Sequence, residues 1–75
     1  MSPSRHAVVL THASSHAIRA EHVLSRAGLE TKLTPVPRHL SSDCGVCVQI
    51  RAEDAARAEV VLKENRVPYD RVEML

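Results

Sequence analysis

Hydrophobic positions in this chain repeat with two periods, and the order in which those periods alternate leaves few folds open. His6-Ala7-Val8-Val9-Leu10-Thr11 is a short apolar run rich in β-branched residues, which predicts a first strand. His12-Ala13-Ser14-Ser15 breaks it, and Ser14 or Ser15 offers an oxygen to cap a helix. Ala17, Ala20, Leu24 and Ala27 then recur at helical spacing, widened by Ile18 and Val23, with Arg19, Glu21, His22 and Arg26 largely opposite. Gly28 is placed to stop that helix. From Leu29, Thr31 and Leu33 alternate with Glu30, Lys32 and Thr34 until Pro35 and Pro37 end the strand or confine it to an edge. Val46, Val48 and Ile50 alternate with Cys47, Gln49 and Arg51, a strand with one buried face, so Cys47 is expected on the opposite, more open one. Ala52-Glu53-Asp54 opens a second helix with acids in its first turn, and Ala55, Ala58, Val61 and Leu62 make its buried stripe. Asn65 is the expected left-handed stop, Val67-Pro68 a turn, and Tyr69, Val72 and Met74 a last strand.

Strand, helix, strand, strand, helix, strand is a short list of elements with a short list of solutions. Two right-handed crossovers over an antiparallel sheet give a ferredoxin-like α+β sandwich, βαββαβ, with four strands and both helices on one face. Residues 1–75 make one domain, with 1–5 as a frayed lead-in. Its core must be built from Val, Leu, Ile and Ala, because Tyr69 is the one aromatic residue. Such side chains each bury little area, so a homodimer would supply burial that a chain of this length lacks.

Charge excludes more than it suggests. A formal net charge of +1 gives no electrostatic case for nucleic acid or an anionic membrane. An RNA-reading sheet would also want stacked aromatics. Residues 1–5 lead into the first strand without a long apolar region, and no apolar stretch reaches membrane-spanning length, which points to the cytoplasm. In that compartment cysteines serve as reduced, catalytic or metal-binding groups more often than as staples.

Both cysteines lie in or beside one loop, Pro35-Val36-Pro37-Arg38-His39-Leu40-Ser41-Ser42-Asp43-Cys44-Gly45-Val46-Cys47. The prolines stiffen its entry, Ser41-Ser42-Asp43 suits a turn, and Gly45 is free to take a positive φ. Cys44 at that bend can be approached by backbone amides, by Ser42 and Gly45, and by Arg38 and His39, all of which would favour its thiolate. A thiolate is the attacking species in sulfur transfer and disulfide exchange, and Cys47 could act as its resolving thiol. The bland reading is two small hydrophobes that pack. A metal reading uses Cys44 and Cys47 with His39 or His12 for Zn²⁺ or Cu⁺. His16 and His22 read as a solvated helix face, and the loop from His12 to His16 could receive an anion at the helix start. No serine-histidine-aspartate set, carboxylate pair or phosphate loop can be argued, so a carrier or accessory protein fits the residues better than a stand-alone enzyme.

Taken together, Thr11-His12-Ala13-Ser14-Ser15-His16-Ala17, Arg19-Ala20-Glu21, Gly28-Leu29, Pro35-Val36-Pro37-Arg38 and Ser41-Ser42-Asp43-Cys44-Gly45 resemble the small selenium/sulfur carrier protein-like domains. The resemblance spans nearly the whole chain and is most specific at Pro-Val-Pro-Arg followed by Ser-Ser-x-Cys-Gly. It implies that Cys44 carries sulfur or selenium as a persulfide or selenopersulfide, between donor and acceptor proteins. Cys47 departs from the mostly aliphatic residue of the family at that place, and adds disulfide or metal chemistry to the readings.

Overall fold

A computed structural model describes residues 5–75, so residues 1–4 of the expected lead-in lie outside the described residues. The elements are β1 (His6–Leu10), α1 (Ser14–Arg26), β2 (Thr31–Pro35), β3 (Val46–Arg51), a 3₁₀ turn (Ala52–Asp54), α2 (Ala55–Glu64) and β4 (Arg71–Met74). The sheet order is β2-β3-β1-β4, and every adjacent pair is antiparallel. This is the ferredoxin-like α+β sandwich expected from the order of periods. β1 and β2 run in the same direction with β3 between them, so the loops that follow β1 and β2 leave from one end of the sheet.

Side-chain alternation sorts the two faces. Ala7, Val9, Val48 and Ile50 meet Ala17, Ala20 and Leu24 of α1 and Ala58 and Leu62 of α2 in the main core. The opposite face is not open where the third strand begins. Val8, Leu10 and Cys47 form a second buried cluster there, covered by Val36 and Leu40 from the loop after β2. Cys47 therefore has the expected face but not the expected exposure; none of its surface reaches solvent.

The helix ends show how local chemistry sets boundaries. Ala13, not a serine, is the residue before α1, and no side chain caps it. Ser14 and Ser15 lie inside the first turn, and the Thr11 hydroxyl donates to the Ala13 carbonyl instead. At the other end Gly28 has φ 91°, its N–H donates to Ser25 O, and Leu29 N–H donates to Leu24 O. Those paired bonds are a Schellman motif, the stop expected at Gly28. They also occupy the Leu29 amide, which is why β2 starts at Thr31 rather than at Leu29.

The same motif closes α2, one residue later than expected. Asn65 keeps φ −95° and its side chain donates to Val61 O, while Arg66 takes φ 54°. Arg66 and Val67 donate to Lys63 O and Leu62 O. A side-chain Cβ in the left-handed region is strained, so Arg66→Gly should raise stability by about 1 kcal/mol in a denaturant titration. Unchanged stability would mean that the Arg66 side chain compensates through contacts of its own.

Tyr69 packs against the main core and its hydroxyl donates to Glu59 at 2.8 Å. Burial, then that bond and the carboxylate's charge, push the phenol from its ordinary value of 10.0 up to about 12. A phenol whose pKa is raised by folding contributes stability below its ordinary value, and that contribution is lost as pH rises toward about 12. Tyr69 is the sole aromatic residue, so near-ultraviolet phenolate absorbance reports on it alone. The titration should be centred near 12, and in Glu59→Gln it should move back toward 10.

Candidate functional site

Three connections meet at the end of the sheet where β1 and β2 finish. The turn 11–13 is tied to the loop 36–45 because Ser42 Oγ donates to Thr11 O at 3.1 Å. The connection into β4 is tied to β1 by Asp70 N–H donating to Leu10 O at 2.7 Å. The first turn of α1 opens beside them. Cys44 sits where these pieces converge, with 5% of its surface exposed.

Its sulfur is surrounded by donors rather than by cations. Val46 N–H points at Sγ from 3.5 Å, and Ser14 Oγ lies 3.6 Å away, where its hydroxyl donates once the sulfur is ionised. Cys44 N–H donates to Ser42 Oγ at 3.2 Å, fixing the backbone that holds the thiol. Burial pushes the Cys44 thiol up, but the Val46 amide and the Ser14 and Thr11 hydroxyls outweigh it and hold the pKa below the ordinary thiol range. Thiolate-favouring hydrogen bonds at a helix start are a recognised route to a nucleophilic cysteine.

Arg38 and His39, expected to favour the thiolate, are exposed on the turn closed by Leu40 N–H and Pro37 O. Neither is among the causes of the shift at Cys44. Ser42 acts through the backbone, as described. Gly45 is exposed and accepts from Val36 N–H, but its φ is not positive and a Cβ there would meet nothing within 4 Å. The freedom of glycine is thus not what this bend uses.

Cys47 is the chemical opposite of Cys44. Burial first, and the neighbouring Cys44 second, push its pKa up. Its S–H faces Pro35 O at 3.8 Å inside the Val8, Leu10, Val36 and Leu40 cluster. Cys44 Sγ reaches toward Ser14 at the start of α1, whereas Cys47 Sγ points into the Val8, Leu10, Val36 and Leu40 cluster. Both thiols are free. Nor do Cys44, Cys47 and His39 assemble the alternative zinc or copper site: among the described residues no group of three or more His, Cys, Asp and Glu could hold a metal ion.

His12, expected as a metal partner or anion ligand, has Nδ1 2.7 Å from Asp43 Oδ2 and Nε2 3.8 Å from Asp70 Oδ1. Its ring nitrogens are both turned to carboxylates, so it does not form a cysteine–histidine pair with Cys44. The residues missed from the sequence are Thr11 and Ser14 as sulfur donors, and Arg71, whose guanidinium donates to Ser41 O at 2.9 Å. A groove of about 410 Å³ lined by His22, Val23, Arg26, Ala27, Val61 and Asn65 lies toward the far end of α1 and carries none of these residues. No helix among the described residues is long and apolar enough to cross a membrane.

Comparison with known families places this geometry in context. A family model described as "Putative Se/S carrier protein-like" matches residues 6–72. No curated protein and no solved structure matches the chain.

Proposed function

The chain belongs to the Se/S carrier protein-like family, and from that premise we propose that Cys44 holds one atom of sulfur or selenium and hands it to an acceptor protein. The observation that carries this reading is the Cys44 thiol, nearly covered yet held below the ordinary thiol range by the Val46 amide and the neighbouring Ser14 and Thr11 hydroxyls. Loading begins when the Cys44 thiolate attacks the outer sulfur or selenium of a donor persulfide or selenopersulfide. The donor's S–S or S–Se bond breaks, its electron pair leaves with the donor thiolate, and Cys44 keeps the atom as Cys44–S–SH or Cys44–S–SeH. Unloading is the same exchange in reverse: an acceptor nucleophile takes the outer atom and Cys44 departs as thiolate. A lowered pKa serves both steps, because it raises the thiolate fraction and makes the departing sulfur a better leaving group.

The surrounding residues take supporting roles in this proposal. Ser14, Thr11 and the Val46 amide stabilise the sulfur anion. Ser42 fixes its backbone, and the exposed Arg38 and His39 meet the cargo or the acceptor as the atom leaves. Cys47 resolves the persulfide only if the loop first comes apart. A reducing compartment such as the cytoplasm keeps both thiols free between cycles.

Intact-mass measurement tests the reading. Protein incubated with a persulfide donor, or separately with a selenopersulfide donor, should gain one sulfur or one selenium atom and lose it to a dithiol. Protein that gains neither, at donor concentrations that load small thiols, would end the carrier reading.

A further inference from the structure

A carrier's sulfur must be reached, yet Cys44 is nearly covered, and the loop that seats it against Ser14 and Thr11 is held in two different ways. Residues 36–40 are anchored by apolar contact, Val36 and Leu40 lying on Val8, Leu10 and Cys47. Residues 41–45 have no such anchor. Residues 41–43 are held by Ser42 on Thr11 O, by Asp43 on His12, and by Ser41 O on the Arg71 guanidinium, while Cys44 meets Ser14 and Gly45 O accepts from Val36 N–H. The contacts to His12 and Arg71 are exposed: His12 and Asp43 side chains keep 55% and 74% of their surface in solvent. Both His12 and Arg71 are in turn held from beneath, His12 by Asp70, and Arg71 by Asp70 and Glu73. Exposed polar contacts are the weakest class of contact, so the segment next to the thiol is the part of the loop that opens first.

We propose that residues 41–45 form a strap that seats the Cys44 sulfur against Thr11 and Ser14, latched by His12 and Arg71, and that keeps the sulfur shielded until the strap is lifted. Pro35 and Pro37 stiffen the fixed side of the loop, and Gly45, its carbonyl held by Val36 N–H, marks the point where the strap joins β3. The strap shields a persulfide from stray thiols and water between donor and acceptor, and in that sense it rests on the carrier reading. The shielding itself is a property of the empty protein and can be measured without cargo.

The measurement is the rate at which iodoacetamide alkylates Cys44 in the full chain, compared between wild type and His12→Gln/Arg71→Gln. The expected result is an acceleration of about fivefold or more, because two surface contacts of this class together shift an opening equilibrium by that order. Cys47, followed in the same samples by peptide mass, should stay unmodified, which separates strap opening from general loosening. Wild-type alkylation kinetics in the double variant would overturn the strap, as would equal labelling of Cys47. Failure of cargo loading with accelerated alkylation would instead overturn the carrier reading and leave the strap standing.

Discussion

Cys44→Ser should take up no sulfur or selenium from either donor, while Cys47→Ala should take up as much as the wild type. The two cysteines are three residues apart, so composition and spacing treat them alike. Their surroundings do not. Cys44 is approached by the Val46 amide and the Ser14 hydroxyl, which lower its pKa, and its sulfur lies beside the start of α1. Cys47 has no exposed surface, an elevated pKa and a wall of Val8, Leu10, Val36 and Leu40 around it. Joining the two as a disulfide would require Cβ atoms about 4 Å apart, and each sulfur would have to leave its present partner, Ser14 for Cys44 and the Pro35 carbonyl for Cys47. Loss of the sulfur in Cys47→Ala leaves a small void, costing about 1 kcal/mol, which a denaturant titration would detect without loss of the fold. Intact mass after donor treatment decides the matter. Loading lost in both variants would show that Cys47 takes part, and loading retained in Cys44→Ser would remove the site altogether.

Much of the fold was legible because period and parity are local properties. Val46, Val48 and Ile50 share a face whatever lies above them, and Gly28 stops α1 through its own backbone freedom. What parity cannot report is whether a face stays open. Cys47 was assigned to the correct side of β3, but the loop that buries it was read for its polar half. Val36 and Leu40, two apolar residues flanking Arg38 and His39, were the available sign that the first half of the loop is a cover. The site itself depends on contacts made thirty residues apart, Cys44 with Ser14 and Asp43 with His12. Topology could have suggested them, since the connections after β1 and β2 leave from one end of the sheet. That a hydroxyl of α1, and not Arg38 six residues before the thiol, meets the sulfur depends on how the loop packs back on α1, which no local pattern encodes. The Asn65 stop missed by one residue for a simpler reason: Asn65 found Val61 O with its side chain and passed the left-handed position to Arg66.

Removing one donor should make the thiol visibly more ordinary. In Ser14→Ala the pH at which Cys44 alkylation is half-maximal should rise toward the ordinary thiol value. A hydrogen bond to a charged group is worth about 1.5 kcal/mol, so the rate at neutral pH should fall roughly tenfold. The Val46 amide remains, so the rise should be partial. An unchanged profile would mean that the amide alone holds the thiolate. Stability follows the same group with a definite sign. Cys44 is ionised more readily in the folded chain than in the unfolded one, so its contribution is present above the unfolded thiol pKa and is lost as pH falls through the lower, folded value. Cys47 behaves inversely: its raised pKa contributes nothing adverse below the unfolded thiol value and costs stability as pH rises through and beyond it. In the wild type the two trends oppose each other across the alkaline range. Cys44→Ser removes the favourable one, so its stability should fall more steeply there than that of the wild type. Cys47→Ala removes the adverse one, so its stability should fall less steeply, whatever its stability at neutral pH. Parallel denaturant titrations at neutral and alkaline pH would read both slopes, and equal slopes in all three proteins would mean that folding does not separate the two thiols at all.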